Sequence, residues 1–409
     1  MYNARQLIVT AILTGALGAG LLACGGDDDD GGSSGEGNGS AAQVPAWVGP
    51  WQDRVGEEVA AAVALSEDPP SGPQHTQFPE LADAPCREIT PKSDGDLTVG
   101  LSYASKSNSA VVQIVATAEE YLGYSEDVGE LISADAQDNP SKQISDIQSM
   151  VARDVDLLLV QPTTVAASPA ITQACEAGVP VITFDRGVEE GTLLTTTVTA
   201  DQRLVGFNLG EAIVGALPQG GNVVMLPGLP GIGTEEEILR GGKIAFQEAG
   251  NVEVLGEAFT DFDIGKGRRV MENFLTTHDD IDAVFADSGL QSVGAIEALQ
   301  GTGRLNEMQM ITGGLYNGYL KLWDELAFPG FASTNALDNG VIAAQLGIDI
   351  VRGDQPSPPR NVPAPIINIS QEDLDEFVQP AFPDGYWATD ISPPELLSQI
   401  FEVHEDLYN

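Results

Sequence analysis

Short apolar runs alternate with segments of helical length between residues 96 and 370. The apolar run Leu157–Val160 ends at a Gln-Pro-Thr-Thr turn, helix formers occupy residues 166–176, and a second apolar run covers residues 181–184. A short, continuously apolar run beside a helical segment is typical of a parallel strand that is buried on both faces. Strands that alternate with helices in this way predict an α/β fold built on parallel sheets.

The same patterning predicts elements along the rest of the chain, including an amphipathic helix that ends at the Pro-Pro-Ser-Gly-Pro stretch of residues 69–73. The predicted strands are 97–102, 130–134, 157–160, 179–184, 193–199, 222–225, 252–259, 282–286, 308–312 and 366–369. The predicted helices are 47–65, 110–122, 141–153, 166–176, 204–217, one from 235, 267–276, 337–351 and 393–407. This order indicates two successive α/β units with a tail beyond residue 370.

Polar residues follow two of the predicted strands directly. Gln161 follows strand 157–160, and the charged pair Asp185 and Arg186 follows strand 179–184. In open α/β sheets, ligands bind outside the carboxyl ends of the strands. An amide and both signs of charge at this edge would offer hydrogen-bond donors and acceptors to a polar ligand. The alternative is a salt bridge between Asp185 and Arg186 that only holds a loop in place.

A polar loop at residues 103–109 lies between the first predicted strand and the next helix. Free backbone N–H groups point outward at the amino terminus of a helix, so such a loop favours hydroxyl-rich or anionic ligands. Ser105 and Asn108 in this loop are therefore candidate ligand contacts.

The amino terminus has the features of an export signal. Arg5 precedes an apolar segment at residues 7–22, which suits a signal-peptide core and ends in Leu-Leu-Ala-Cys at Cys24. This ending resembles the lipobox of bacterial lipoproteins, in which the cysteine is acylated; the alternative is an ordinary secretory signal. Residues 24–42 are rich in Gly, Ser and Asp and are predicted to be a solvated linker.

The chain is strongly acidic, with 18 basic and 61 acidic residues and a formal net charge of −43. This charge opposes binding to nucleic acid and to anionic membrane surfaces. Because 42% of the residues are hydrophobic, the chain can still build cores, and we interpret the acids as a solvated surface suited to high salt. Two domains of ordinary size are expected after the leader and linker.

Two cysteines remain if Cys24 is lipidated. Cys86 and Cys175 could form a disulfide outside the cell. Cys175 lies in a predicted helix that is partly buried, and we favour the alternative of an unpaired, inert core thiol.

Neither a metal site nor a cofactor is predicted. The histidines at positions 75, 278 and 404 lack the spacing of metal ligands. The Gly-rich loop at residues 226–234 lacks the Gly-Lys-Ser/Thr ending of a phosphate loop. Three successive glutamates at the start of the following helix would also repel a phosphate.

Five segments of the chain resemble one protein family in their order and spacing: residues 139–140, 159–162, 181–186, 260–263 and 281–286. The chain is similar to the ribose-type periplasmic binding proteins, the solute receptors of carbohydrate ABC importers. The resemblance implies two Rossmann-like lobes, each with a parallel sheet, joined by a three-segment hinge that closes on a small polar ligand. The implied partners are an ABC permease and its ATPase, and the implied state is a monomer tethered to the membrane only through its lipid anchor.

The resemblance also implies domain boundaries. Residues 1–23 would be the lipoprotein signal peptide and 24–42 the linker, followed by a helical extension at 43–95 that packs against the first lobe. Lobe 1 would comprise residues 96–200 and 337–361, and lobe 2 residues 201–336 and 362–409. The tail beyond residue 370 exceeds the family core, and packing on a lobe is favoured over a role as a lid.

Several positions of the family's binding site can be matched in this sequence. The matched candidates are Asn108, Gln161, Asp185, Arg186, Arg240, Phe262 and Asn335. Ser288 is a candidate at a position where the family differs, because Ser288 and Gly289 replace an Asn-Asp pair. Asn317 is the nearest substitute for a family aspartate that is absent at Gly313 and Gly314. Ala110 and Val111 replace the aromatic residues that stack on a sugar in the family. These departures argue against simple ribose specificity and favour a related sugar, a sugar derivative or a polyol.

Three other functions would need or share particular sequence features. A transcriptional repressor of this fold would need a basic helix-turn-helix before the first strand, where this chain has a leader and a linker. A secreted enzyme would need a nucleophile with an adjacent base, and none is visible in the sequence. A sensory receptor with a chemotaxis or kinase partner would have the same receptor half, and it stays open as an alternative.

Overall fold

The computed structural model describes residues 44–76, 78, 81–231, 233–335 and 337–405. Cys24, the apolar segment before it and the acidic linker lie outside these residues. The strands are β1 (Leu97–Tyr103), β2 (Val128–Asp135), β3 (Leu157–Val160), β4 (Val181–Phe184), β5 (Thr196–Thr199), β6 (Gly221–Leu226), β7 (Val252–Glu257), β8 (Ala283–Ala286), β9 (Met310–Gly313), β10 (Gly330–Asn335), β11 (Asn361–Pro363) and β12 (Ile366–Ile369).

Helices follow most of the strands, as the alternating pattern predicted. They are α1 (Val48–Glu67), α2 (Ser109–Tyr124), α3 (Pro140–Ala152), α4 (Ser168–Glu176), α5 (Gln202–Ala216), α6 (Gly233–Ala249), α7 (Ile264–Thr277), α8 (Gly289–Thr302), α9 (Asn317–Leu326), α10 (Asn339–Arg352), α11 (Leu374–Phe377) and α12 (Pro394–Val403). In this part of the chain, no helix combines the length and the apolar character needed to cross a bilayer.

The strands form two six-stranded sheets. The first sheet has the order β11-β5-β4-β3-β1-β2 and the second the order β12-β10-β9-β8-β6-β7. All neighbours in the first sheet are parallel, and in the second only β12 runs antiparallel to its neighbour β10. Every residue of β3, β4 and β8 is buried, which explains why these strands are continuous apolar runs in the sequence. The predicted α/β fold with two parallel-sheet lobes is confirmed.

The chain crosses between the two sheets three times. It leaves the first sheet after β5 and enters α5, it returns from β10 into α10, and it crosses again between β11 and β12. The first two crossings leave the carboxyl ends of β5 and β10. In the third, Ile366 at the start of β12 pairs with Asn335 at the end of β10. The carboxyl edges of both sheets therefore lie next to each other at the hinge.

The structure corrects the prediction made for the cysteines. Cys86 and Cys175 form a disulfide with a Cα–Cα distance of 4.8 Å. Cys86 lies in a short 3-10 turn at residues 85–87 that packs against α4, and both residues are fully buried in the core on one face of the first sheet. The expectation of an unpaired thiol was wrong because the segment before β1 returns to α4, a long-range contact that local periodicity does not encode.

The two extensions pack onto this framework in different ways. α1 packs against α10 and β11, and Trp51 meets Tyr121 of α2 edge to face at 5.2 Å between ring centroids. From sequence, residues 362–409 were assigned to the second lobe. β12 does join the second sheet, whereas α12 packs against α2 beside the first sheet. The tail thus contacts both lobes.

Candidate ligand-binding site

The side chain of Asp185 is the centre of a hydrogen-bonded group at the carboxyl end of β4. Gln161, which follows β3 directly, donates from Nε2 to Asp185 Oδ2 at 2.7 Å, and its own Oε1 accepts from the backbone N–H of Ala104 at 3.3 Å. Because β3 lies between β1 and β4, these contacts connect three neighbouring strand ends. The predicted pair of Gln161 and Asp185 is therefore brought together.

Arg186 and Asn339 complete this group. Arg186 Nε lies 3.8 Å from Asp185 Oδ2, and its guanidinium donates to the carbonyl oxygen of Thr163 at 3.4 Å. Asn339, at the start of α10, donates from Nδ2 to Asp185 Oδ1 at 3.4 Å. The Asp185 side chain remains 20% exposed and that of Arg186 37% exposed, so both charges are accessible to solvent.

Asn339 was not found from the sequence, although it begins a helix that was predicted. Its Oδ1 and the hydroxyl of Thr163 are buried, and neither has a hydrogen-bond partner among the described residues. Buried polar atoms are normally paired, so two unpaired atoms beside Asp185 mark a place where a ligand or water would complete the network. The available sequence signal was the position of Asn339 just after a crossing.

Asp185 has a backbone conformation that is uncommon for residues with a side chain. Its φ is +66°, in the left-handed region, which Asp tolerates better than most residues. Backbone strain of this kind persists where surrounding structure enforces it, and it clusters at functional sites. The conformation places the carboxylate against Gln161 instead of continuing the line of β4.

The loop after β1 contributes Ser105 and Asn108, but both hydrogen-bond locally. The Ser105 hydroxyl donates to Asp138 Oδ2 at 2.7 Å and lies 2.8 Å from Ser107 Oγ. Asn108 caps α2, where its side chain accepts from the backbone N–H of Val111 at 3.0 Å. These residues shape the loop, and their contacts do not join those of Asp185.

In the second lobe, Phe262 lies against a glycine at the carboxyl end of β6. A Cβ atom at Gly228 would lie 2.1 Å from two ring carbons of Phe262, so only glycine permits this packing. Asp261 and Phe262 have φ values of +57° and +54°, and positive φ is costly for a bulky side chain. The partly exposed ring is thus fixed beside the strand end.

Ser288 caps α8 and is buried; its hydroxyl accepts from the backbone N–H of Leu290 at 3.4 Å. Its neighbour Asp287 is also buried and accepts a hydrogen bond from Gln291 Nε2 at 2.7 Å. Glu235, in the first turn of α6, is 2% exposed. Burial, followed by the charge of Asp287, raises the pKa of the Glu235 carboxyl, and burial also raises the pKa of Asp287.

Glu235 was not predicted as a site residue, because the three glutamates were considered only as groups that would repel a phosphate. Asp287 directly follows the predicted strand 282–286, but no role was predicted for it. The pairing of an acid after β8 with an acid in the first turn of α6 depends on the adjacency of β6 and β8 in the sheet, which sequence spacing does not show.

Three other predicted residues lie apart from these groups. Arg240 is on an exposed face of α6, with its guanidinium 3.7 Å from Glu237. Asn317 is fully buried, and its side chain bonds to the backbone of residues 379, 382 and 383 in the tail. Asn335 ends β10 and accepts from Gln202 Nε2 at 3.4 Å, which links the first two crossings. The structure does not bring Arg240 or Asn317 to Asp185.

A separate hollow of about 530 Å³ is lined by Ala212, Phe331, Gln371 and neighbouring residues. None of the predicted site residues lines it, so it is distinct from the strand-end groups. In the described part of the chain, no group of three or more His, Cys, Asp or Glu side chains is arranged to hold a metal ion.

Two parallel-sheet lobes, three crossings and polar groups at adjacent carboxyl edges define the class of hinged, two-lobed solute-binding proteins. The chain belongs to the family described as periplasmic binding protein domain, whose model matches residues 99–355. The predicted resemblance to ribose-type binding proteins is thereby confirmed.

Individual relatives agree with this assignment. The ribose import binding protein of Bacillus subtilis (strain 168) is 34% identical over 211 residues, which cover 51% of this chain and 67% of the relative. The corresponding protein of Escherichia coli (strain K12) is 33% identical, with 52% and 70% covered. The galactofuranose-binding protein of the same strain is 29% identical, with 54% and 70% covered.

Solved structures show the same fold. A periplasmic ribose ABC transporter protein from Conexibacter woesei has a TM-score of 0.63 at 24% identity and covers 70% of this chain and 95% of its own. A solute-binding protein from Bacillus halodurans with bound myo-inositol has a TM-score of 0.61 at 24% identity, with 70% and 98% covered. The fructose-binding periplasmic domain of a hybrid two-component system has a TM-score of 0.56 at 23% identity, with 76% and 97% covered.

Proposed function

We propose that this protein is an extracytoplasmic solute-binding protein that captures a sugar, a polyol or a derivative of one and delivers it to an ABC permease and its ATPase. The observation that carries the proposal is the Asp185 group. It combines a partly exposed ion pair, a buried amide and unpaired polar atoms at the carboxyl edge of the first sheet. Relatives named for ribose import and galactofuranose binding support a carbohydrate as the ligand class.

The chemistry of the group suits a polyhydroxylated ligand. Asp185 would accept hydrogen bonds from ligand hydroxyls, and Arg186 would donate hydrogen bonds to ligand oxygens in a fixed planar geometry. Hydrogen bonds to charged groups contribute about 1.5–3 kcal/mol each, so two or three of them orient a small solute strongly. Phe262 from the second lobe would cover an apolar face of the ligand.

Capture would proceed by closure of the two lobes about the three crossings. A ligand stabilises the closed form only to the extent that it contacts both lobes. Asp185, Arg186 and Gln161 would hold it from the first lobe, and Phe262 and Ser288 from the second. The permease would then recognise the closed form, which presents both lobes in one fixed arrangement.

The amino terminus would attach the receptor to the outer face of the membrane. Acylation of Cys24 would provide the anchor, and the acidic linker of residues 24–42 would hold the lobes away from the surface. Lasting attachment takes more than one lipid chain. The receptor would act as a monomer.

A sensory receptor is the second candidate, because the fructose-binding domain of a two-component system shares this fold. Its binding half would use the same groups, and only the partner would differ. Genes for a permease and an ATPase beside this one would support transport, whereas a kinase or chemotaxis gene would support sensing.

The binding half of the proposal is tested by titration calorimetry with pentoses, hexoses and cyclitols. We expect one saturable ligand class, with affinity reduced about 10- to 150-fold by Asp185→Ala, the equivalent of about 1.5–3 kcal/mol. Asp324→Ala is the matched control, since Asp324 is exposed on α9. Heat from no carbohydrate, or equal effects of the two variants, would refute the proposal.

A further inference from the structure

Two carboxyl groups and an amide form a buried cluster at the carboxyl edge of the second sheet. Glu235 is in the first turn of α6, after the loop that leaves β6, and Asp287 directly follows β8. Gln291 donates from Nε2 to Asp287 Oδ1 at 2.7 Å and to the carbonyl oxygen of Leu226 at 3.2 Å. The loop after β9 lies close, because a Cβ atom at Gly314 would be 3.1 Å from the Asp287 carbonyl oxygen.

The cluster has more acceptors than donors. Both carboxyl oxygens of Glu235 and the Oε1 atom of Gln291 are buried, and none of them has a hydrogen bond of regular geometry to the residues that the structure describes. The backbone of Gly228 lies near enough to lower the pKa of Glu235, but burial and Asp287 outweigh it and raise that pKa. A carboxylate buried without donors is strongly unfavourable, so a donor must be supplied by a proton or by a ligand. A proton on Glu235 would let it donate to Asp287, which fits the direction in which burial and Asp287 move the pKa of Glu235.

The basic side chains near α6 form ion pairs with acids outside this cluster. Lys243 pairs with Glu257 at 2.6 Å, and Arg203 pairs with Glu237 at 2.5 Å. Besides Asp287, the charged group that acts on Glu235 is Glu257, another acid. Within the described part of the chain, the protein therefore provides acceptors and negative charge here without a matching cation.

We propose that the captured solute carries a protonated amino group, as in an amino sugar or an aminocyclitol, and that Glu235, Asp287 and the Gln291 amide oxygen accept its N–H donors. An ammonium group has three donors and no lone pair to oppose the acceptors. A hydroxyl brings one donor together with lone pairs that face the carboxylates. The inference rests on the proposed function, because it specifies the ligand class of the same binding protein.

Binding of an ammonium group to this cluster would release a proton from it. Without ligand, one proton is shared by the two carboxyl groups, and the pair carries one negative charge. When a ligand ammonium group takes the place of this proton, the proton goes to solvent and both carboxyl groups are ionised. One positive ligand charge then lies between two negative charges. No bond other than this O–H bond breaks or forms. A neutral sugar would release no proton from this cluster.

The test is titration calorimetry of amino sugars, their N-acetyl forms and the parent sugars, each in two buffers with different ionisation enthalpies. We expect the amino compound to bind at least about tenfold more tightly than the parent sugar, a difference of about 1.4 kcal/mol. We also expect release of up to about one proton per ligand. Glu235→Gln removes the preference and the proton release, whereas Glu236→Gln, an exposed neighbour on the same helix, leaves both unchanged.

The outcomes separate this inference from the proposed function. Equal affinity for amino and parent sugars, with Asp185 still required, overturns the ammonium site and leaves carbohydrate capture intact. Tight binding of the amino sugar without proton release also overturns it. Binding of no sugar in any form refutes carbohydrate capture itself, and the ammonium site with it.

Discussion

Asp185 in the first lobe and Phe262 in the second each have a positive φ and lie just after a strand or in the loop that follows one. Each was predicted from the sequence as a ligand contact. Their identity was predictable because charged and aromatic residues at strand ends match the family motif. Their conformation was not, because positive φ at non-glycine residues is imposed by surrounding packing. For Phe262 the packing is the close approach of the ring to Gly228.

Gly228→Ala tests whether this packing matters. The added methyl group would lie 2.1 Å from the Phe262 ring, so the ring must move, at a cost of about 1–3 kcal/mol of unfolding free energy. We expect ligand affinity to fall as well. The measurement is urea unfolding combined with calorimetry.

Gly215→Ala in α5 serves as the control, because nothing lies within 4 Å of the added atom there. Its stability should be unchanged or raised by about 0.5–1 kcal/mol, since alanine is the better helix former. If Gly228→Ala were as benign as Gly215→Ala, the ring would not be fixed by the glycine.

At the scale of elements, most boundaries followed from the sequence. β3 begins and ends at the predicted residues because its apolar run is bounded by turn signals, and β4 ends at Phe184 as predicted. β4 begins at Val181, two residues later than predicted, because Pro180 has no N–H group to donate to a neighbouring strand. α4 starts two residues later than predicted because a 3-10 turn occupies residues 165–167. Strand order and the Cys86–Cys175 bridge needed the structure, since both depend on contacts between distant segments.

The contacts of the tail beyond residue 370 also join distant segments and could not be predicted from the sequence. It was expected to pack on one lobe, yet Trp387 exchanges hydrogen bonds with Gln113 of α2 and forms a β-bridge with Tyr316 before α9. Asn317, predicted to contact ligand, instead bonds to three tail carbonyls. Asn317 was predicted as the nearest substitute for the absent family aspartate, and the sequence did not show that the tail would cover it.

Asn317→Ala should therefore lower the free energy of unfolding, and any effect on ligand affinity should be the smaller one. It leaves buried backbone groups of the tail without partners, a cost of about 1–3 kcal/mol. Chemical unfolding measures the effect, with exposed Asn273→Ala on α7 as the control. An unchanged free energy of unfolding, together with a loss of ligand affinity, would show instead that Asn317 contacts the ligand.

At the scale of the whole molecule, the charge of −43 and several buried acids both make the folded state less stable as the pH rises. Burial raises the pKa of Asp338, which accepts hydrogen bonds from Thr389 and Ser392, to about 6, and that of Asp349 to about 6. Between the ordinary pKa of Asp, about 4, and this raised value, the folded state holds more protons than the unfolded state. Unfolding free energy therefore falls as pH rises through this window.

We expect the melting temperature to rise when the pH is lowered from 7.5 to about 5.5, and to rise on addition of salt at pH 7.5, because salt screens the surface acids. Asp338→Asn should flatten the pH dependence in part. Thermal unfolding across this pH range is the measurement. A melting temperature that falls on mild acidification would contradict the assignment of raised pKa values to the buried acids.

The central claim is that one small solute is held by both lobes, and thermal unfolding with single-lobe variants tests it most directly. A ligand at a hundred times its dissociation constant adds about 2.7 kcal/mol, a shift of roughly 5–10 °C. We predict this shift for one sugar, amino sugar or polyol with the wild-type protein. Asp185→Ala in the first lobe and Phe262→Ala in the second should each remove about half of it or more. No shift with any member of the panel, or a full shift retained by either variant, would contradict capture between the lobes.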